Sequence, residues 1–172
     1  MAEILRFGKP MHLVGEPPQA GEPARDFVVH SFSPDAGIVP VTLADLPAKP
    51  RLLSAVPSLD TPVCSKETVT LNHRLADFGN AVRAYTISLD LPFAQARWCG
   101  AEGVSTMQTL SDWKTRSFGT NWGVLIEETQ LLARAVFVLD AAGTVTYTQI
   151  VPEITHEPEY EPVLAALADA VG

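Results

Sequence analysis

Cys64 and Cys99 are the two cysteines of this 172-residue chain, and the residues before Cys64 set it apart from an ordinary buried thiol. It ends the stretch Pro57-Ser58-Leu59-Asp60-Thr61-Pro62-Val63-Cys64, which lies between a short apolar run and a helical stripe. Thr61 is a favoured N-cap and Pro62 a favoured first helical residue, so Cys64 falls at the third helical position. First-turn amide N–H groups lack intrahelical partners and carry the positive end of the helix dipole, so a thiolate there is stabilised. A capping box would place Glu or Gln at this position, and a thiol serves no capping purpose. The bland alternative is a small hydrophobe under a helix start, the usual fate of a cysteine. The context favours a reactive thiol.

A nucleophile at a helix start needs a rigid strand behind it. Arg51 to Val56 is an apolar run stopped by Pro57, a buried-strand pattern, and Leu71, Leu75 and Phe78 mark a helical stripe over residues 62–78, closed by Gly79. Residues 81–87 read as a strand. Pro92 to Cys99 reads as a helical turn, and Asp112 to Phe118 as a short helix with Ser111 as its N-cap. Arg134 to Leu139 is a nearly continuous apolar strand, with a turn at 140–143 and an alternating antiparallel partner over Thr144 to Ile150. An amphipathic helix from Glu159 to Val171 closes the chain. Upstream, Ile4 to Phe7 and Met11 to Val14 flank Gly8-Lys9-Pro10 as a hairpin, and 26–30 and 39–43 form short strands. A βαβ unit followed by a ββα unit is the thioredoxin-like arrangement: α/β, with a mixed central sheet flanked by helices. The expected organisation is one domain over residues 1–172, with residues 1–24 as an N-terminal β-hairpin and loop decoration.

Composition narrows the partners. Hydrophobic residues make up 47% and charged residues 19% of the chain, which excludes the disordered classes. Twelve basic against twenty acidic residues give a net charge of −8, which argues against nucleic acid and anionic membrane partners. No apolar run approaches the ~20 residues of a membrane span, and the first six residues carry no signal-peptide pattern. The expectation is a cytoplasmic protein, where two thiols are not a disulfide framework.

The pattern P-x-x-x-T-x-x-C at a helix start resembles the active-site motif of the peroxiredoxins. Asp90-Leu91-Pro92-Phe93-Ala94-Gln95-Ala96-Arg97-Trp98-Cys99-Gly100-Ala101-Glu102-Gly103 is similar to a stretch of the bacterial thiol peroxidases, atypical two-cysteine members of that family. The likeness continues through Leu132 to Ala135 and Val151 to Tyr160, so it spans nearly the whole chain. It implies a thiol-dependent peroxidase acting on hydrogen peroxide and organic hydroperoxides, without cofactor or metal, in antioxidant defence. Cys64 would be the peroxidatic cysteine, passing through a sulfenic acid, and Cys99 the resolving one in an intramolecular Cys64–Cys99 disulfide. Thr61 would hydrogen-bond the peroxide and thiolate, Pro57 would shield the pocket from water, and Arg134 would be the active-site arginine. Thioredoxin as reductant and a homodimeric state are implied in the same way.

The chain departs from the family pattern in three places. Val56 and Leu71 stand where Phe is common, and Ile126 to Arg134 is shorter than usual and glycine-free. Arg97, next to Cys99, is the rival for an activating role. Other constellations carry less. His12, His30, His73 and His156 are scattered without zinc-site spacing. Glu153-Ile154-Thr155-His156 is bracketed by Pro152 and Pro158, against a ligand-bearing helix. Glu153, Glu157, Glu159 and Glu161 read as hydrated surface, and Trp98, Trp113 and Trp122 as core packing.

Overall fold

The computed structural model describes residues 2–172; Met1, the start of the expected 1–24 decoration, lies outside them. The chain opens with β1 (Glu3–Arg6) and β2 (Lys9–Val14), an antiparallel hairpin. A second hairpin joins β3 (Val28–Ser33) to β4 (Gly37–Thr42). The alternating part follows: β5 (Arg51–Ala55), α1 (Pro62–Leu75), β6 (Arg83–Ser88), α2 (Pro92–Glu102) and β7 (Met107–Ser111). After α3 (Ser117–Asn121) and the short β8 (Leu125–Ile126) come β9 (Ala135–Leu139), β10 (Val145–Ile150) and α4 (Tyr160–Val171).

Seven strands form one mixed sheet in the order β10-β9-β5-β6-β7-β3-β4, and β1, β2 and β8 form a small second sheet. β5, β6 and β7 run parallel; β9 lies antiparallel to β5. β5 and β9 are buried along their whole length because both faces of the sheet are covered. Alternation divides their side chains between two cores. Leu52, Val136 and Val138 meet Leu71 and Leu75 of α1 and Val163 and Leu167 of α4. Leu53 and Phe137 meet Phe27, Phe118 and Trp122 on the other face, with Ile4 and Leu13 of the hairpin closing that layer. The rings of Trp122 and Phe137 lie edge to face with centroids 4.9 Å apart, a favoured geometry. The expected α/β thioredoxin-like sheet with an N-terminal hairpin is present.

Three expectations need correction. Residues 112–118 are not a helix capped by Ser111: Met107–Ser111 is a strand and the helix starts at Ser117. The buried Asp112 carboxylate caps it from a distance, accepting the Phe118 N–H at 3.1 Å and the Gly119 N–H at 2.8 Å. The α1 helix also ends at Leu75 rather than 78, continuing as 3₁₀ turns through Ala81. Glu153 is more than hydrated surface. It accepts the Phe7 and Gly8 N–H groups at 3.1 and 3.0 Å, and these and Thr155 hold its carboxyl down at about 2. Glu153 therefore anchors the tip of the β1–β2 hairpin.

Gly123 is the backbone position least able to change. It has φ +63°, and a Cβ there would lie 2.3 Å from the Glu16 carbonyl carbon and 2.6 Å from Pro17 N. Gly123→Ala is expected to cost on the order of 3–5 kcal/mol, left-handed strain adding to a backbone clash. Urea unfolding measures it; a loss below about 1 kcal/mol would mean the 16–17 segment yields freely.

Candidate active site

The turn from β5 into α1 is held from outside before it presents Cys64. Ser58 Oγ donates to Asp90 Oδ1 at 2.6 Å and the Leu59 N–H to Asp90 Oδ2 at 2.8 Å, tying the turn to the end of β6. Thr61 sits in extended conformation as N-cap, and its Oγ1 accepts the Cys64 N–H at 3.3 Å. With Pro62 as first helical residue, Cys64 is the third. It is completely buried.

Arg134, immediately before β9, is also buried, at 2% exposure, so it is no solvated strand-end arginine. Its guanidinium is used on three sides. Nη2 lies 3.3 Å from Cys64 Sγ, Nε and Nη2 donate to the Ile154 carbonyl at 3.1 and 3.0 Å, and Nη1 pairs with Glu67. Burial opposes its charge, but Glu67 and then Cys64 hold its pKa above the ordinary arginine value. Glu67 is fully buried, and its Oε1 accepts from Ser54 Oγ at 2.9 Å. Burial pushes this carboxyl up to about 7, against the pull of Arg134 and Ser54.

The small sheet of β1, β2 and β8 supports this arrangement. Leu5 N–H donates to the Pro152 carbonyl at 2.6 Å and Ile154 N–H to the Leu5 carbonyl at 2.9 Å, so β1 fixes the segment whose carbonyl orients Arg134. The short loop after β8 is fastened to β2: Glu127 N–H donates to the His12 carbonyl at 2.9 Å, and the Glu128 carboxylate accepts from the His12 backbone and ring. Between hairpin, loop and α1 opens a cavity of about 360 Å³ walled by Phe7, Met11, Pro57, Thr61, Leu131 and Arg134. Thr61 and Arg134 give this apolar cavity its polar groups at the Cys64 end. Such a concave, mostly apolar site with few convergent polar groups suits a small ligand.

Neither cysteine is part of the cavity wall: Cys64 is buried next to the lining residues Val63 and Arg134. Cys99 sits half-buried on α2 with its Sγ 3.6 Å from Thr109 Oγ1; burial raises its thiol pKa, while a hydrogen bond from the Thr109 hydroxyl to the sulfur pulls the other way. A small cluster of Val56, Leu59, Cys64 and Trp98, with Val69, Cys99 and Val104 at its margin, fills the space between α1 and α2. Both thiols are free. Val56 thus packs with Cys64, whereas Leu71 belongs to the core under α1. Arg97 and His73 are exposed. His30 is buried edge-on to Trp113 at 5.0 Å, and among the described residues no group of three His, Cys, Asp or Glu could hold a metal ion. Sequence reasoning missed Glu67, although its place on the buried stripe, one turn after Cys64 and one turn before Leu71, was the available signal.

A buried thiol at a helix N-terminus, touching a guanidinium at one end of a thioredoxin-like sheet, defines a class of cysteine enzyme, and the sequence comparisons agree with it. The chain belongs to the redoxin family, whose pattern matches residues 19–164. It is 48% identical over 169 residues to a thiol peroxidase of Bacillus subtilis (strain 168), covering 98% of each chain. It is 47% identical over 166 residues to one of Staphylococcus aureus (strain MRSA252), covering 96% of this chain and 98% of that one. The crystal structure of a peroxiredoxin-like protein from Aquifex aeolicus superimposes with a TM-score of 0.87 at 36% identity, covering 99% and 98% of the two chains. These matches place it among the bacterial thiol peroxidases, and its activity is thiol-dependent reduction of peroxides.

Proposed function

We propose that Cys64 is the residue oxidised by the peroxide and Cys99 the residue that resolves it. The observation that carries this reading is Cys64 Sγ at an intact helix N-terminus, 3.3 Å from Arg134 Nη2. The Cys64 thiolate attacks one peroxide oxygen; the O–O bond breaks and sulfur becomes a sulfenic acid. The leaving oxygen takes a proton and departs as water or alcohol. Arg134 Nη2 and the Thr61 hydroxyl, preorganised at the cavity end, stabilise the charge that develops on the peroxide oxygens. Pro57 excludes water from the wall. The Cys99 thiolate then displaces hydroxide from the sulfenic sulfur, giving a Cys64–Cys99 disulfide and, with a proton, water. A thioredoxin dithiol returns both cysteines to thiols. In this reading the chain works as a single-domain, cofactor-free antioxidant enzyme of the cytoplasm, as a homodimer, with neither nucleic acid nor membrane as partner. The net charge of −8 supports the last point. No helix among the described residues is long and apolar enough to cross a membrane.

Turnover coupled to thioredoxin and its reductase tests the cycle. Cys99→Ser should consume about one equivalent of peroxide and stop at the sulfenic acid. Sustained turnover by that variant at the unaltered rate would remove Cys99 from the mechanism.

Forming the disulfide requires motion. Its two Cα atoms must come about 4.4–6.8 Å apart, while both thiols here are held in intact helices with Val56, Leu59 and Trp98 packed around them. Local unfolding around Cys64, Cys99 or both is the expected route. Hydrogen exchange should therefore rise in residues 61–68 or 92–103 of the disulfide form, with a change in Trp98 fluorescence. Indistinguishable exchange in the two forms would mean a preformed cysteine pair.

A further inference from the structure

Three ionisable groups meet at the buried end of the cavity, and their charges do not balance if all are ionised. Cys64 and Glu67 are fully buried acids, and Arg134, at 2% exposure, is the cation touching both. The rest of Glu67's surroundings offer no second positive charge. Ser54 Oγ is neutral. Glu157 adds negative potential from the segment before α4, and Tyr160, the first residue of α4, feels Glu67 in turn but donates its hydroxyl to Glu157 at 2.6 Å. Lys66 points outward and pairs with Glu157 at 2.5 Å. One buried cation can balance one buried anion; a second, without its own partner, is expelled by desolvation and by like-charge repulsion.

We propose that Glu67 is a redox-linked proton store: its carboxyl is protonated while Cys64 is a thiolate, and it ionises when Cys64 is oxidised. This rests on the reading of Cys64 as the oxidised residue. In the reduced enzyme the thiolate and Arg134 form the balanced pair, and the Glu67 carboxylic acid shares its hydrogen bond with Ser54. Oxidation turns the thiolate into a neutral sulfenic acid, and Arg134 is then balanced by Glu67, which releases its proton. Thiolate, peroxide and carboxylic acid go in; sulfenic acid, alcohol or water, and carboxylate come out. The S–O bond forms, the O–O bond breaks, sulfur gives up two electrons to the peroxide, and the proton lost by Glu67 balances the one gained by the leaving oxygen. When a dithiol later frees the Cys64 thiolate, Glu67 takes a proton back. A carboxyl raised by burial to about 7 can change state in this way near neutral pH. Glu67 lies behind Arg134 and outside the cavity wall, so it acts through Arg134 as a positioning residue, not as a proton donor in contact with the substrate.

Infrared difference spectra between the reduced and peroxide-treated forms of the Cys99→Ser variant, which stops at the sulfenic acid, provide the test. The expected result is a protonated-carboxyl C=O band in the reduced form that disappears on oxidation and is missing from the same protein carrying Glu67→Gln as well. Glu67→Gln keeps the shape and an accepting oxygen towards Arg134. Because Gln is neutral like the proposed carboxylic acid, the pH profile of Cys64 alkylation by iodoacetamide should stay in place, whereas a move to lower pH by roughly half a unit or more would show a negative charge on Glu67 beside the thiolate and overturn the proposal. Dimedone labelling of the same samples, read by mass spectrometry, separates the two readings. A labelled Cys64 with an unchanged carboxyl region overturns the role of Glu67 alone; an unlabelled Cys64 overturns the assignment beneath it. The wild-type reduced spectrum decides the point even if the Gln variant fails to fold, because a reduced enzyme without the carboxyl band has Glu67 ionised throughout.

Discussion

Cys64→Ser consumes no peroxide above the uncatalysed rate while remaining folded. A serine hydroxyl is not ionised at neutral pH, and neither the dipole of α1 nor Arg134 at 3.3 Å can make it so. Loss of a catalytic nucleophile costs on the order of 10⁴ or more in rate. The fold should not notice. The backbone N–H of residue 64 still donates to Thr61, and an oxygen in place of sulfur still accepts from Arg134 in a fully buried slot. Stopped-flow consumption of hydrogen peroxide and cumene hydroperoxide, with a circular dichroism melt alongside, reads both halves. If instead Cys99→Ser loses the first oxidation and Cys64→Ser keeps it, the two roles are reversed.

Arg134→Met should slow the peroxide step by about 10²–10³, the usual loss when a preorganised donor to a developing oxyanion is removed. It should also change how stability depends on pH. In the unaltered protein Glu67 binds its proton more tightly folded than unfolded, with about 7 against an unfolded value near 4.5. The native state then holds more protons across that interval, so Glu67 favours folding below the lower value and this contribution is lost as pH rises through the interval. Without Arg134 the carboxylate has no ion-pair partner, its folded-state pKa rises further, and the loss continues to higher pH. Removing one partner of a buried pair typically costs about 3–5 kcal/mol. Unfolding midpoints of the Met variant should therefore fall more steeply between about pH 5 and 8 than those of the parent, and adding Glu67→Gln should flatten the curve. Parallel pH curves for parent and Met variant would mean that Arg134 does not hold the Glu67 charge.

What could be read from the residues was local. Pro57, Thr61, Pro62 and Cys64 lie within one turn of the chain, and capping rules place them without any tertiary knowledge. Arg134 stood out only through family resemblance, because its contact with Cys64 spans 70 positions. Glu67 has its partner 67 positions away, and burial turns what looks like a surface helix residue into part of the site. β7 was missed for a different reason. Met107 and Leu110 are three apart, as on a helix, and the strand shows itself only through its pairing with β6. The helix after it was set too early because its cap, Asp112, is six residues from the N–H of Phe118 it holds.

The contacts between β1 and the segment at 152–154 join residues about 146 positions apart, and this separation bears on how the enzyme comes into being. Long-range closure of this kind is costly in loop entropy and is completed late in folding. On the ribosome, Leu5 and Phe7 emerge first and have no counterpart until Pro152, Glu153 and Ile154 follow. Until then the carbonyl that orients Arg134 is missing, and Cys64 sits in a nascent chain without its guanidinium. In the proposed role of Cys64, the thiol therefore meets its guanidinium only when nearly the whole polypeptide has been made, which would spare unfinished chains from spending that cysteine on passing peroxide.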